Sequence, residues 1–263
     1  MIAWHYVHKH KKPLFVATGE STISPHLQKP RFLFSWDKFK KDTNGIICVS
    51  TKNYKESVSL GYADETKCIV LPNGCNLNMF KPLGKDNCRK ELGFSKDAFI
   101  VITVGEFSER KGQERVIKAI DSLASPHIFS IFIGKGNTLS KRDYILYQGQ
   151  VAHNTLPLYL NASDVFVLPT KKEGCCNAIV EALACGLPVI SSDSLFNKDI
   201  LNNNNSILVN PEDVEGLSDA IRKIKSDSSM AISLSKGALM TASELSITKR
   251  AQRIISFIDE SLA

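Results

Sequence analysis

The chain has 263 residues, 43% of them hydrophobic and 23% charged, an ordinary globular mix that buries a core and suits two compact domains or one large one. Mean hydropathy is −0.09, no apolar run approaches the roughly 20 residues a membrane span needs, and Met1-Ile2-Ala3-Trp4-His5 has no apolar core or cleavage site, so neither a spanning helix nor a signal peptide is expected. The formal net charge is +6 and sits at the front, where residues 1–45 hold eight Lys/Arg against three Asp/Glu; nucleic-acid binding is not expected, because Lys9-His10-Lys11-Lys12 is short and no RNP-like or zinc-finger spacing accompanies it.

In chain order, short apolar runs predict strands at residues 14–17, 46–50, 68–71, 99–104, 129–133, 145–147, 165–168, 188–190 and 206–209. Many are β-branched and apolar throughout, as strands buried on both faces are. Helices are predicted at 88–92, at 113–124 with Val116, Ile117, Ile120 and Leu123 on one face, and at 177–185, 212–225 and 248–258. Alternation of the two element types predicts an α/β fold with doubly wound parallel sheets. Pro72-Asn73-Gly74 is a turn signal, and the stretch from Phe80 to Lys85 reads as linker, so a domain boundary is expected near 82–96. The seven cysteines, 48, 68, 75, 88, 175, 176 and 185, form an odd set without CxxC spacing. Reduced thiols in a cytoplasmic protein are expected, rather than a disulfide framework or zinc site.

Chemistry concentrates in two loops. The first runs from Leu168 through Glu173-Gly174-Cys175-Cys176-Asn177 and Glu181 to Ser191, and reads strand, loop, helix, turn, strand. A loop at the carboxyl end of a parallel strand is where open α/β sheets bind ligands. The helix start offers amide N–H groups and a positive dipole end to a phosphate or a sugar hydroxyl, and Gly174 admits close backbone approach. Glu173 at the mouth suits sugar hydroxyls. Glu181, eight residues on and flanked by Ile179-Val180 and Ala182-Leu183, suits a ribose diol. Two glutamates at this spacing are also common on exposed helices; the apolar setting of Glu181 favours the site. The second loop, Gly105-Glu106-Phe107-Ser108-Glu109-Arg110-Lys111-Gly112, again joins a strand to a helix, and a lysine there reaches diphosphate oxygens.

These segments resemble family 4 glycosyltransferases of the two-Rossmann-domain (GT-B) kind. That family carries Gly-Arg-x4-Lys-Gly, matched here at Gly105, Lys111 and Gly112, and Glu-Gly-x2-Asn-x3-Glu-Ala-x-Ala-x-Gly-x-Pro-Val, matched from Glu173 through Val189. Further agreement at Ile47 to Ser50, Pro72 to Phe80, Ile133 to Gly136 and Gln148 to Pro169 extends the likeness over residues 45–225. The resemblance implies a retaining transferase that uses a nucleotide-sugar donor and no metal or cofactor, with a glycan or lipid-linked acceptor. No Asp-x-Asp follows an apolar strand. Lys111 and Glu173 would be catalytic. Gly105, Arg110, Gly174, Cys175, Cys176 and Asn177 would join them around the donor, Glu181 would take the ribose, and Gln150 and Val151 would flank the base. It also implies residues 1–85 as a partial acceptor-side domain, 86–245 as the Rossmann-like nucleotide-sugar domain, and 246–263 as a helix packing back on the front. The basic front would give peripheral contact with the inner face of a membrane, or simply be a solvated face.

Two departures stand out. The family arginine is Glu106 here, and a carboxylate cannot replace a guanidinium against phosphate; Arg110 is the candidate substitute. The front is short and, at Gly19-Glu20, lacks the family histidine, so a truncated product is expected, with Glu20 as a substitute polar group. His5, His8, His10 and His26 fall out of register. A non-catalytic nucleotide-sugar binder that needs a partner chain is therefore the alternative to an active transferase. A nicotinamide-dependent dehydrogenase is disfavoured, because after Gly134-Lys135-Gly136 the third glycine of the fingerprint is replaced by Leu139.

Overall fold

The computed structural model describes residues 2–19, 36–61 and 63–263; Glu20 and His26 lie outside them. The chain opens with α1 (Ile2–His10), β1 (Leu14–Thr18), α2 (Trp36–Asp42), β2 (Thr43–Cys48), α3 (Thr51–Ser59) and β3 (Cys68–Val70). It continues through α4 (Lys85–Leu92), β4 (Phe99–Val104), α5 (Gln113–Leu123), β5 (Ile128–Ile133), β6 (Ile145–Gly149), α6 (Leu156–Ala162), β7 (Val165–Leu168) and α7 (Asn177–Ala184). It closes with β8 (Val189–Ser192), β9 (Ser206–Val209), α8 (Val214–Ser226), α9 (Ser228–Glu244) and α10 (Ile247–Leu262). Two sheets form, ordered β1-β2-β3 and β6-β5-β4-β7-β8-β9, and every pairing within them is parallel.

In the larger sheet the chain runs outward from β4 to β6, then returns to pair β7 against the other side of β4. Reversal of strand order opens a crevice beyond the carboxyl ends of β4 and β7. Side chains of the central strands alternate between two cores. Ile100, Ile102, Phe166 and Leu168 pack with Ile179 and Leu183 of α7. Val101, Val165 and Val167 pack with α5 and α8 through Val116, Ile117, Leu217 and Ile221. That is why these strands read as unbroken apolar runs.

The sheets are tied at several points. Gly45 of β2 leaves room for α10: a Cβ there would sit 2.6 Å from the Phe257 ring. Phe257 also meets Phe15 edge-on, with ring centres 6.0 Å apart. The Cys75 amide donates to Leu245 O (2.7 Å) and the Ile247 amide to Cys75 O (3.0 Å). The Thr51 amide, at the start of α3, donates to the Asp199 carboxylate at 2.7 Å. Cys75 and Phe80 are buried in the core shared with α7.

Several boundaries move for local reasons. Ser50, expected in a strand, is instead the N-cap of α3 and accepts from the Asn53 amide, while β2 begins three residues early at Thr43, opposite Leu14. The helix expected from 212 starts at Val214, because the Asp213 carboxylate caps it by accepting from the Gly216 amide. Helices α1, α2, α3, α6 and α9 have no counterpart in the expected pattern. In α9 the apolar residues are diluted by serines, alanines and a glycine, which blurs any helical stripe. All seven cysteines are free thiols.

Candidate functional site

The crevice is built from the two loops singled out by sequence. After β4 the backbone turns at Gly105, whose φ of +149° lies in a region that favours glycine. The Lys111 side chain folds back beneath it, its Cδ 3.5 Å from where a Gly105 Cβ would lie. After β7, Thr170 to Cys176 lead into α7, whose N-cap Cys176 makes no side-chain capping hydrogen bond. The Lys171 amide donates to Arg110 O at 2.9 Å and stitches the loops together. The Arg110 and Lys111 side chains of the first loop thereby meet the second loop just before the amino-terminal end of α7.

Charges there are tightly paired. Glu173 Oε1 lies 2.6 Å from Lys111 Nζ and 2.8 Å from Arg110 Nη1. It also accepts from Thr170 Oγ1 at 2.9 Å. Lys111 is 9% exposed, so its charge needs this partner. Glu106 approaches Arg110 Nη2 at 3.7 Å from the solvent side. Cys175 and Cys176 are buried, and burial pushes the Cys175 thiol up to about 12 and raises Cys176 too, which keeps both protonated and unreactive.

Deeper along α7, Glu181 Oε1 meets His153 Nε2 at 2.9 Å, and the imidazole leans on the Phe80 ring, with centres 5.1 Å apart. Burial raises the Glu181 carboxyl above the ordinary carboxylate value, while the His153 hydrogen bond opposes it. Gln150 and Val151 follow the end of β6: Gln150 is exposed, Val151 is half-buried, and Tyr147 Oη donates to Gln150 O at 2.9 Å. From the smaller sheet, Asn73 Nδ2 donates to Asn177 Oδ1 (2.7 Å) and Cys175 O (3.1 Å), so the Pro72-Asn73-Gly74 turn sits on the start of α7.

The structure thus brings Gly105, Arg110, Lys111 and Glu173 into contact, with Gly174, Cys175, Cys176 and Asn177 following in the chain at the start of α7; Glu181 meets His153, and Val151 packs on the core shared with α7. Sequence reasoning missed Thr170, His153 and Asn73 as site residues. Thr170 stood in the quoted segment without a role, and His153 and Asn73 carry no local signal beyond sitting near a strand end and in a turn. Of the histidines set aside, His8 pairs with Asp42 at 2.6 Å, away from this crevice. Among the described residues, no three His, Cys, Asp or Glu side chains gather to hold a metal. A separate cavity of about 440 Å³ opens behind the β4–α5 loop, where Glu109 pairs with Arg115 and, with Glu212, with Lys171.

Comparison with known proteins agrees with this architecture. A Bacillus subtilis protein that carries the name of a teichuronic acid biosynthesis glycosyltransferase, TuaC, is 30% identical over 211 residues, 78% of this chain and 52% of the relative. An Escherichia coli UDP-Gal:alpha-D-GlcNAc-diphosphoundecaprenol alpha-1,3-galactosyltransferase is 27% identical over 231 residues, 81% of this chain and 59% of the relative. The chain thus spans little more than half the length of these curated relatives. The crystal structure of Anabaena Alr3699/HepE with UDP and glucose superposes with a TM-score of 0.80 at 18% identity, covering 98% of this chain and 74% of that one; that likeness fixes the fold as GT-B. The family model described as glycosyl transferases group 1 matches residues 84–239, more than half of the chain and the whole wall that carries Lys111, Glu173 and Glu181, and the chain accordingly belongs to the glycosyl transferases of group 1.

Proposed function

We propose that the chain binds a nucleoside-diphosphate sugar and transfers the sugar, with retention, to a glycan or lipid-linked acceptor. One observation carries this: Lys111 Nζ and Arg110 Nη1 converge on Glu173, in the loop that leads from the carboxyl end of β7 into α7. Lys111 and Arg110 take the diphosphate, and the backbone from Gly174 to Asn177 completes its cradle. Glu173 takes hydroxyls of the transferred sugar, Glu181 the ribose diol, and Gln150 and Val151 the base. As the bond from the anomeric carbon to the diphosphate breaks, the growing charge falls on Lys111, Arg110 and the helix end, so no metal is required. The Escherichia coli relative is named for a diphosphoundecaprenol acceptor, and the end of helix α1 with the turn after it, where Lys9, His10, Lys11 and Lys12 are exposed, suits an anionic surface carrying such a lipid at the cytoplasmic face. Among the described residues no helix is long and apolar enough to cross a membrane.

A second reading, donor binding without turnover, is favoured by Glu106 in place of the family arginine. Transfer from a labelled donor decides between them. In an active enzyme, Glu173→Ala lowers kcat/KM about 100-fold or more, the scale of losing a group that engages the transition state. Turnover indifferent to that change would remove Glu173 from the chemistry, and binding with no turnover in the unaltered chain would establish the second reading.

A further inference from the structure

The cations that would hold a diphosphate are paired with carboxylates of the chain itself. A single oxygen, Glu173 Oε1, takes Lys111 Nζ, Arg110 Nη1 and Thr170 Oγ1 at 2.6, 2.8 and 2.9 Å. Side chains of Lys111 and Glu173 are 11% and 12% exposed, so water and salt screen the contact weakly. Glu106 pulls weakly on Arg110 from the other side. A diphosphate that engages Lys111 competes with Glu173 for the ammonium and sets its own negative charge beside a mostly buried carboxylate, which is then in need of new donors. A sugar on the distal phosphate brings hydroxyls, which are such donors. A bare nucleoside diphosphate ends there in phosphate oxygens, and its ribose hydroxyls belong to Glu181.

We propose that Glu173 discriminates between the sugar nucleotide and the spent nucleoside diphosphate: it yields Lys111 to a donor whose sugar hydroxyls it can accept, and takes Lys111 back once the sugar has left, which drives product release. This rests on the donor-binding function proposed above and adds to it a reason why product does not clog the site. Thr170, 0% exposed, is the positioning residue that holds the carboxylate in the anion seat.

Calorimetric titration of the full chain with UDP, UDP-glucose, GDP and GDP-mannose tests it. The unaltered chain binds one sugar nucleotide several-fold more tightly than the matching diphosphate. Glu173→Gln keeps the shape and removes the charge; it binds the bare diphosphate about 5- to 10-fold more tightly, the scale of one shielded charge pair, and loses most of the preference for the sugar form. A residue that only touches sugar would leave diphosphate binding unchanged, and that result overturns the proposal. Thr170→Val separates the seat from a general charge effect, and decides the matter alone if Glu173→Gln fails to fold. With the charge kept and the carboxylate loosened, it tightens diphosphate binding about twofold, on the scale of one hydrogen bond shared among three; no gain in this variant also overturns the proposal. Lys111→Ala marks the other failure. If no compound binds the unaltered chain, or Lys111→Ala binds as well as it does, the chain is not a nucleotide-sugar binder of the kind described. If Lys111→Ala loses binding while Glu173→Gln gains none, only the discrimination by Glu173 falls.

Discussion

At the scale of single residues, the site sets two carboxylates on one helix-and-loop segment into different environments. Glu173 is compensated by two cations, whereas Glu181 is buried beside one histidine and its carboxyl is raised. A raised carboxyl means that the folded chain holds a proton that the unfolded chain has already released. The cost of the ionised form is therefore absent at low pH and grows as pH rises from the ordinary carboxylate value through the raised one. Glu181→Gln is expected to melt higher than the unaltered chain near neutral pH, with the gap closing as pH falls below the ordinary carboxylate value of about 4, where the carboxyl becomes protonated in both states. The same variant loses nucleotide affinity, since a carboxamide accepts from only one of the two ribose hydroxyls. Thermal melts across that range, paired with nucleotide titrations, check both outcomes. Glu181 stood out in the sequence because a glutamate inside an apolar helix needs a reason. Its partner His153 did not, because the two are 28 positions apart.

At the scale of elements, the β4–α5 loop keeps its shape through the loop after β5. Gly134 has a φ of +154°, and its missing side chain lets Gly105 O approach: a Cβ there would lie 1.9 Å from that oxygen. Phe107 and Gly136 are bridged next to it. Gly134→Ala therefore forces the backbone around Gly105 to shift. It is expected to cost about 2–3 kcal/mol, the range for strain at a left-handed glycine with a backbone clash, and to weaken donor binding by displacing Lys111. A denaturant titration with a nucleotide titration measures both. In the sequence the pair Gly134 and Gly136 read as two-thirds of a dinucleotide fingerprint; the fold uses them for loop-on-loop contact instead. Strands 99–104 and 165–168 match end to end, because burial on both faces writes itself as a nearly unbroken apolar run, and the edge strand 206–209 matches as well. Helix α6 was hidden by its length of seven residues and a proline in its first turn.

At the scale of the whole molecule, the smaller sheet reaches the site through Asn73, which clamps the start of α7. Arg250 of α10 fixes the same turn by donating to Pro72 O at 2.9 Å. Position of the first sheet and shape of the cradle are therefore linked. Asn73→Ala is expected to cost about 1 kcal/mol in stability, the net worth of a typical hydrogen bond, and to raise KM for the donor several-fold with a smaller change in kcat. A wholly structural role would move the melting temperature and leave the ratio of KM to kcat alone.

The sequence by itself determined the α/β alternation, the parallel sheets and the cluster from Glu173 to Glu181, because these depend on neighbours a few residues apart and on apolar periodicity. Tertiary structure alone decided who partners whom. Lys111 meets Glu173 across 62 positions, Asn73 meets Asn177 across 104, and Thr51 meets Asp199 across 148. Such pairs form only when separate strands deliver their loops to one edge of a sheet. Local propensity carries no record of that delivery, since it is set by the spatial order of the strands in the sheet.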